Sequence, residues 1–370
     1  MKISMNFQRG VFLTAAFIIM AACGEKEDTP EPMPLVSWEK SDNFPEGLFN
    51  AQVINDRLFV VSSGNFYFDA KITSPNNPVS FRNFQTRVGR FKLPVSDRIF
   101  ATRTETEIYL FPSNDITAGK ALKINAKDLD PDFLSFEDIP FWQGDVFSIN
   151  NAGSILIPYR ASAAGMAKNS PFFFLLKPEI INGNVQLSSF VLIREDLIDW
   201  FDSCNRVESA GDFFFVQVGS STFHISNSGA VQKASDFSAR LFSSRTESFT
   251  MTMDRNSGQF TLRKGSLNGS NWSEMGRFTF NQTLRALNYC IIDNKIIGFN
   301  GSEIYELTPT GNNIQIKRLE DKNLEGGVIS SIVQWNDRVF VSVICDNPIR
   351  NCGGFHKSLT DFFKEKQSSS

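Results

Sequence analysis

Residues 51–61, AQVINDRLFVV, contain the pattern that decides the fold of this chain. A mostly apolar stretch leads into two turn residues, Asn55 and Asp56, and a strongly apolar stretch follows them. Asn, Asp and Gly suit a two-residue hairpin turn, because its central residues adopt positive φ. The stretch after the turn hardly alternates between apolar and polar residues, which is typical of a strand covered on both faces. The segment therefore predicts a β-hairpin inside a larger β-structure.

Five further copies of this pattern follow along the chain. Counted from Asp56, the turns are separated by 41, 48, 67, 82 and 43 residues and lie around Asp97, Asp145, Asp212, Asn294 and Asp337. A repeat of about 45 residues with roughly four strands in each unit is typical of a propeller blade. The longest separation has room for a seventh unit with a degenerate turn, which we place at residues 240–262.

The 67-residue separation is longer than one ordinary blade. We interpret it as one blade with an insertion of roughly 20 residues, since blades repeat at about 45 residues. Within this insertion, residues 192–201 (LIREDLIDWF) predict a short helix.

The sequence therefore predicts an all-β chain that forms a β-propeller of seven blades over residues 35–360, with a C-terminal tail at residues 361–370. Six and eight blades are alternatives, and so is a pair of β-sandwiches, which also have short strands at intervals of about 8–12 residues. The last unit is one strand short, whereas residues 35–40 (LVSWEK) form a strand without a hairpin partner. Because a closed ring leaves no open sheet edge, we expect residues 35–40 to complete the last blade beside residues 339–343.

The first 22 residues have the composition of an export signal. Lys2 and Arg9 precede an apolar run of ten residues at positions 11–20. Ten residues are too few to cross a bilayer as a helix, which takes about 20. A basic start, a short apolar run and small residues before a cleavage site predict a secretory signal.

Ala21 and Ala22 stand directly before Cys23, and this sequence resembles the lipobox of bacterial lipoprotein signals. The resemblance implies that residues 1–22 are removed and that Cys23 is lipidated. It also implies export to the bacterial cell envelope and a lipid anchor in a membrane, which we expect to be the outer membrane. A cleaved secretory signal without lipidation is the alternative. Residues 23–34 are polar and contain proline, so they predict a flexible tether that follows the anchor.

The charge of the chain bounds the class of its partners. The whole chain carries a net charge of −3, and residues 23–370 carry −5, because the predicted signal contains two basic and no acidic residues. This mildly acidic balance, without a long basic cluster, argues against nucleic acid as a partner. The oligomeric state does not follow from the composition.

The cysteines fall into two groups. Cys345 and Cys352 bracket a short loop, CDNPIRNC, in which the Asn-Pro pair favours a turn. Because export permits disulfides, we predict a bridge between these two residues. Cys204 and Cys290 lie in or beside predicted strands, and we expect them to be free thiols.

The sequence contains none of the motifs of the common catalytic classes. A GxSxG elbow, a phosphate-binding loop and a dinucleotide fingerprint are absent, and neither histidine has a second ligand at metal spacing. Asp128, Asp130 and Asp132 are alternate carboxylates that could converge on Ca²⁺. An acidic, solvated loop is the alternative for these three residues. Apart from this calcium candidate, no cofactor is predicted.

Residues 263–272, RKGSLNGSNW, resemble a degenerate Asp-box, the turn motif of sialidase-like propellers. Ser266, Asn268 and Trp272 follow the order of the motif, with Asn in place of Asp and one residue missing. In that family the box is a structural hairpin, so the resemblance implies a turn and brings no catalytic residue with it.

The two faces of a propeller carry different loops. The turn between the first two strands of each blade lies on one face, and the loops after the second strand and between blades lie on the other. Binding residues are common in loops on a rigid scaffold. We therefore predict a ligand at the second face, where the candidates are Asn65, Asn150, Arg255, Asn300 and, in the insertion, Asp199, Trp200 and Asp202. The Trp200 ring beside two carboxylates could stack on a sugar or a peptide.

These observations favour a membrane-anchored β-propeller lipoprotein that binds a protein or glycan partner and is not an enzyme. One alternative is a polysaccharide hydrolase or lyase with carboxylates in the central funnel, because paired acids need no sequence motif. A structural subunit of an envelope complex is another alternative.

Overall fold

The structure is a computed structural model of the chain. It describes residues 37–41, 48–62, 65–68, 71–72, 95–116, 118–137, 147–163, 166–167, 172–194, 204–219, 221–235, 239–244, 246–254, 257–267, 269–279, 288–344 and 352–366. The predicted signal at residues 1–22 and the tether at residues 23–34 lie outside these ranges. Among the described residues, no helix has the length and apolar character that a membrane span requires.

The described chain is built from short strands in chain order. The first strand is β1 (Glu39–Lys40), and blade 1 follows with β2 (Leu48–Ile54), β3 (Arg57–Ser62), β4 (Asn65–Phe68) and β5 (Lys71–Ile72). Blade 2 contains β6 (Ile99–Arg103), β7 (Glu107–Pro112) and β8 (Leu122–Asn125). Blade 3 contains β9 (Phe133–Phe136), β10 (Ser148–Ile149), β11 (Ile155–Ala163), β12 (Met166–Ala167), β13 (Phe172–Ile181) and β14 (Asn184–Ile193).

The second half of the chain is more regular. Blade 4 contains β15 (Cys204–Ala210), β16 (Phe213–Val218), β17 (Ser221–Ser226) and β18 (Val231–Ser235). Blade 5 contains β19 (Ala239–Ser243), β20 (Ser248–Met253), β21 (Gln259–Gly265) and β22 (Ser273–Thr279). Blade 6 contains β23 (Asn288–Ile292), β24 (Lys295–Asn300), β25 (Glu303–Thr310) and β26 (Asn313–Arg318), and blade 7 contains β27 (Val328–Trp335), β28 (Arg338–Ile344) and β29 (Gly353–Ser358).

Helix is scarce in the described residues. A 3₁₀ turn at Ala118–Lys120 and two four-residue helices, Ala126–Leu129 and Leu359–Phe362, are the helical elements of the described part of the chain. The prediction of an all-β chain is therefore confirmed. Residues 192–201 were expected to be helical, and this is wrong for Leu192 and Ile193, which pair with Phe174 and Phe173 in the β13–β14 ladder. Residues 195–201 lie outside the described residues.

The strands form a ring of seven blades, as the repeat predicts. Successive strands pair antiparallel within every blade except blade 3, where β9, β10 and β12 all pair with β11. Blades 5 and 6 are joined by one parallel pair, Arg277 with Asn313. The predicted seventh unit at residues 240–262 is present as β19, β20 and β21. From blade 3 to blade 7 the first strands of neighbouring blades contact each other, and β2 of blade 1 contacts β27 of blade 7. Buried residues of blade 2 pack against blade 1 and against blade 3, which closes the ring. Two separate sandwiches would not produce this closure.

Seven hydrophobic clusters fill the interfaces between the blades. Each cluster contains residues from two neighbouring blades, and together the seven clusters follow the ring from blade 1 back to blade 7. Phe173 and Phe174 illustrate the reason: the first packs toward blade 4 and the second toward blade 2, because successive side chains of a strand point to opposite faces. Non-alternating apolar strands are therefore what this packing requires.

The hairpin turns of blades 1 and 6 have the positive φ values that their Asn and Asp residues predict. Asn55 and Asp56 have φ of 49° and 60°, and the corresponding pair in blade 6, Asp293 and Asn294, has 50° and 59°. These values match a type I′ turn, whose twist suits a hairpin. In blade 4 the pattern predicts Ala210 and Gly211 as the turn residues. The turn residues are instead Gly211 and Asp212, because Ala210 pairs with Phe213.

Blade 3 departs from the predicted pattern. Both β9 and β10 pair with β11, so two separate segments form the innermost position of this blade. The turn into β11 lies between Asn150 and Ser154, where Gly153 has a φ of 82°. The turn predicted around Asp145 lies outside the described residues and stays a prediction. The turn into β11 is one that the repeat pattern did not predict. A longer loop with one glycine lacks the two-residue sequence that marks the other turns.

The N-terminal strand closes the ring, but beside a different strand from the one expected. Glu39 pairs with His356 and Lys40 with Phe355, so β1 lies next to β29. Residues 339–343 belong to β28, which is paired on both sides by β27 and β29. The outer edge of β29 was therefore the position open to a closing strand.

The packed chain continues past residue 360. In the helix Leu359–Phe362, Phe362 is buried, and Glu365 forms a bridge with Leu319. The Lys366 amide donates to the Arg318 carbonyl at 3.1 Å. The ring and its packed C-terminal segment therefore extend to Lys366, six residues beyond the predicted boundary.

Candidate functional site

The face with the turns between the first and second strands, called here the turn face, is held together by hydrogen bonds between neighbouring blades. The Asn55 amide donates to Asp97 Oδ1 at 3.1 Å, which links blades 1 and 2. The Asn151 amide donates to the Gly211 carbonyl at 2.7 Å, and the Asp212 amide donates to the Leu267 carbonyl at 3.1 Å. The repeated turn residues therefore have a structural role at the turn face. The opposite face is called here the loop face.

The predicted ligand residues are distributed over both faces. Asn65 begins β4 and Asn300 ends β24, so both lie at the loop face as expected. Asn150 lies at the turn face instead and is 1% exposed. Its Oδ1 accepts from the Ser154 amide at 2.9 Å and its Nδ2 donates to Asn227 Oδ1 at 3.2 Å. Asn150 therefore supports its own turn, and its predicted place among the loop-face residues is wrong.

The other four predicted ligand residues cannot be placed. Asp199, Trp200, Asp202 and Arg255 lie outside the described residues. Their role in binding stays a prediction.

The three alternate aspartates form a different arrangement from a cation site. Asp130 is fully buried, and its carboxylate accepts from the Tyr159 hydroxyl at 2.6 Å and contacts the Arg194 guanidinium. Asp128 and Asp132 are exposed. Among the described residues, no group of three or more His, Cys, Asp or Glu side chains is placed to hold a metal ion. Burial also raises the pKa of Tyr159, which keeps its hydroxyl protonated as a donor to Asp130.

The cysteines follow the predicted division in part. Cys204 and Cys290 are free thiols, and burial raises the pKa of Cys290 to about 12 and that of Cys204 still further. Both thiols are therefore protonated at neutral pH and poor nucleophiles. Cys352 is disulfide-bonded. Its expected partner, Cys345, lies outside the described residues, so the pairing stays a prediction.

The segment that resembles an Asp-box forms the hairpin between β21 and β22 at the turn face. The Ser266 hydroxyl donates to the Ser270 carbonyl at 2.9 Å, and Trp272 Nε1 donates to the Gly269 carbonyl at 3.0 Å. The Trp272 ring lies 6.0 Å from the ring of Phe215 in blade 4. The hairpin thus joins blades 4 and 5, in line with the structural role that the resemblance implies. Asn268 lies outside the described residues.

The inner strands have free backbone edges toward the centre of the ring, and side chains from neighbouring blades satisfy several of them. The Ala51 amide donates to Ser331 Oγ at 2.8 Å, and Ser209 Oγ donates to the Ile149 carbonyl at 2.6 Å. The Leu241 amide donates to Glu208 Oε2 at 2.6 Å. Polar residues on these strands are therefore expected wherever a backbone group needs a partner.

The inner strands are the first strands of the blades. Three adjacent ones, β15, β19 and β23, carry additional polar side chains near their starts. Arg206 is the third residue of β15, and Arg240 and Tyr289 are the second residues of β19 and β23. Each of these strands runs from the loop face to the turn face, so the three residues occupy the loop-face ends of blades 4, 5 and 6. We call Arg206, Arg240, Tyr289 and the neighbouring Glu208 the inner donor group.

The inner donor group has more positive than negative charge. Arg206 Nε and Arg240 Nη1 each lie 3.4 Å from Glu208 Oε1, so two guanidinium groups share one carboxylate. The side chains of Arg206, Arg240 and Glu208 are 22%, 27% and 17% exposed. In such partly desolvated surroundings an unbalanced charge is costly and attracts a counter-ion.

Two donors of this group are left without an acceptor in the part of the chain that the structure describes. Arg206 Nη1 and the Tyr289 hydroxyl are buried, and neither has a hydrogen-bond partner among the residues that the structure describes. Burial lowers the pKa of Arg206 to about 10 and raises the pKa of Tyr289, with Arg240 partly opposing the second shift. A buried donor without an acceptor costs about 1–3 kcal/mol. The group is therefore suited to a ligand that brings acceptor oxygens.

The inner donor group was not predicted from the sequence. The repeat pattern treats residues 206–209, RVES, as the first strand of blade 4, and so assigns Arg206 and Glu208 no role. The available signal was the presence of two charges on a strand whose neighbours are covered on both faces. Strands of that kind rarely contain charged residues unless these are paired.

Comparisons with known proteins assign no family to this chain. A scan against protein-family models finds no match, and a search of curated proteins finds no significant relative. Among solved structures, the Neurospora crassa Pan2 WD40 domain matches at 9% identity with a TM-score of 0.48, covering 88% of this chain and 94% of that one. The AfRom2 CNH domain matches at 9% identity and a TM-score of 0.45, covering 87% and 96%. An oligogalacturonate lyase in complex with manganese matches at 7% identity with a TM-score of 0.47, covering 85% of this chain and 90% of that one.

Proposed function

We propose that this protein is a lipid-anchored binding protein of the bacterial cell envelope, which holds a protein or glycan partner at the loop face and is not an enzyme. The N-terminal sequence up to Cys23 supports export and anchoring. The observation that carries the binding role is the inner donor group, in which Arg206 and Tyr289 have buried donors without partners among the described residues.

The contacts of Glu208 favour binding over polysaccharide hydrolysis. Glycoside hydrolysis commonly uses two carboxyl groups on either side of the scissile bond. Among the described residues, Glu208 is the carboxylate that contacts both Arg206 and Arg240, and it also accepts from the Leu241 amide. A carboxylate held by three donors stabilises the site and is poorly placed to transfer a proton.

A glycan array combined with product analysis tests this proposal. The mature chain, residues 23–370 without the lipid, is applied to an array of polysaccharides and to immobilised envelope proteins, and the soluble fraction is analysed by mass spectrometry. We expect retention on a subset of ligands and no new product. A product that is lost in the Glu208→Gln variant would instead establish an enzyme.

Purification from solubilised membranes separates binding from a structural role. The lipidated protein is extracted in detergent and its mass is measured by light scattering. We expect recovery without a fixed set of partners in constant ratio. A stable complex of constant composition would favour a structural subunit of an envelope assembly and would overturn the proposal.

A further inference from the structure

We propose that the inner donor group binds the carboxylate of a uronic acid in an acidic glycan. This inference rests on the proposed function, because it names the ligand class of the same face. Arg206, Arg240 and Tyr289 provide the donors, and Glu208 remains as an acceptor. The loop-face ends of β15, β19 and β23 bring these residues together from three successive blades.

The charge balance calls for an anion. Two guanidinium groups face a single carboxylate at 3.4 Å, and both arginine side chains are less than one-third exposed. Hydrogen bonds between a guanidinium and a carboxylate are charge-assisted and stronger than those between neutral groups. An incoming carboxylate would neutralise the second guanidinium in surroundings where water screens charge less than it does in bulk solvent.

The free donors call for oxygen acceptors at this point. Arg206 Nη1 is buried and has no partner among the described residues, and the same holds for the Tyr289 hydroxyl. The Tyr289 ring lies 5.3 Å from the Phe242 ring, which fixes the position of the hydroxyl in blade 6 next to blade 5. A carboxylate has two oxygens with about four acceptor positions, so it can accept from the arginine donors of this group.

The presence of Glu208 favours a sugar acid over other anions. A carboxylate can accept from hydroxyl groups as well as from arginine, and an ionised Glu has no donor of its own. A uronic acid combines a carboxylate for the arginines with hydroxyls for Glu208. A phosphate, a sulfate or an acidic peptide side chain lacks these adjacent hydroxyls, and each would bring its negative charge toward Glu208 without this compensation.

Calorimetric titration with matched ligands tests the inference. The probes are tri-mannuronate, the neutral β-1,4-mannotriose and a penta-glutamate peptide, each added to residues 23–370. We expect tri-mannuronate to bind and the other two probes to bind at least about 10-fold more weakly. Mannotriose lacks the carboxylate, and penta-glutamate lacks the sugar hydroxyls. Equal binding of mannotriose would overturn the role of the carboxylate, and tighter binding of the peptide would overturn the choice of a glycan.

Variants locate the site. Arg206→Gln and Arg240→Gln are expected to weaken tri-mannuronate binding by about 10- to 100-fold each, as loss of a charge-assisted hydrogen bond predicts. Arg277→Gln is the matched control, because Arg277 pairs with Glu274 on the exposed outer strand of blade 5. Unchanged binding in both inner variants, or equal loss in the control, would overturn the assignment.

Stability without ligand separates a binding site from a structural contact. Arg206 is desolvated, and its Nη1 has no hydrogen-bond partner among the residues that the structure describes. Since Glu208 keeps Arg240 and the Leu241 amide as partners, Arg206→Met is expected to leave the melting temperature unchanged or to raise it. A fall of several degrees would show that Arg206 holds blades 4 and 5 together instead.

If wild-type protein binds neutral glycans or proteins while the inner variants bind equally well, the anion site fails and the proposed binding function stands. If a product forms, the proposed function fails.

Discussion

Gly211 shows how a single residue controls the contact between two blades. Its φ is 59°, and a Cβ at this position would lie 1.8 Å from the Leu267 carbonyl oxygen of the β21–β22 hairpin. Gly211→Ala is therefore expected to separate blades 4 and 5 locally and to lower the free energy of unfolding by more than about 2 kcal/mol. Gly183→Ala is the matched control, because Gly183 has a φ of 75° and nothing within 4 Å of its Cβ. Urea denaturation measures both, and equal losses would show that backbone strain alone is responsible.

Trp38 is the residue that fixes the N-terminal strand. It is 1% exposed, its Nε1 donates to the Glu320 carbonyl at 3.1 Å, and its ring lies 6.0 Å from that of Phe362. We expect Trp38→Ala to lower the free energy of unfolding by about 3–5 kcal/mol, the usual loss for a buried aromatic residue. Denaturant titration measures the change, with Phe190→Ala as the control, because Phe190 is 42% exposed. A loss below that of the control would mean that the ring stays closed without Trp38.

At the scale of the element, Lys357 of β29 makes the closing sheet sensitive to pH. Lys357 is 3% exposed, its Nζ lies 5.3 Å from the centre of the Trp38 ring, and burial lowers its pKa from 10.5 to about 8. Between these two values the unfolded chain binds a proton that the folded chain does not, so folding becomes more favourable as the pH rises from 8 toward 10.

Lys357→Met tests this linkage. The wild-type free energy of unfolding, relative to that of the variant, is expected to rise by about 1–3 kcal/mol between pH 8 and pH 10. The difference between the two proteins removes the contribution of the other titrating groups. Denaturant titrations at four pH values in this interval provide the measurement, and a constant difference would contradict the effect of burial on Lys357.

At the scale of the whole molecule, the predicted anchor and the ring are separate parts of the chain. Cys23 stands before a polar stretch that has little apolar surface to bury, so lipidation is expected to set location without changing the stability of the ring. Cys23→Ser should move the protein from the membrane fraction to the soluble fraction or leave the precursor unprocessed. Fractionation and mass spectrometry of the N-terminus measure this. Normal processing with full membrane retention would show that another feature attaches the protein.

The sequence by itself determined the repeat. Asn55 with Asp56, and Asp293 with Asn294, adopt positive φ because their short polar side chains tolerate it, and this preference is local. The spacing of such turns was enough to predict seven blades and an N-terminal strand in the last one. Apolar strands without alternation were likewise enough to predict sheets covered on both faces.

Only the tertiary structure decided which distant segments pair. Neither the split inner strand of blade 3 nor the pairing of β1 with β29 has a local signature, because a strand edge accepts any segment of suitable length. The same holds for the inner donor group, since Arg206 and Tyr289 are brought to one end of the ring by the stacking of three blades. Their unsatisfied donors arise from burial, which depends on the neighbouring blades and is therefore invisible in the order of residues.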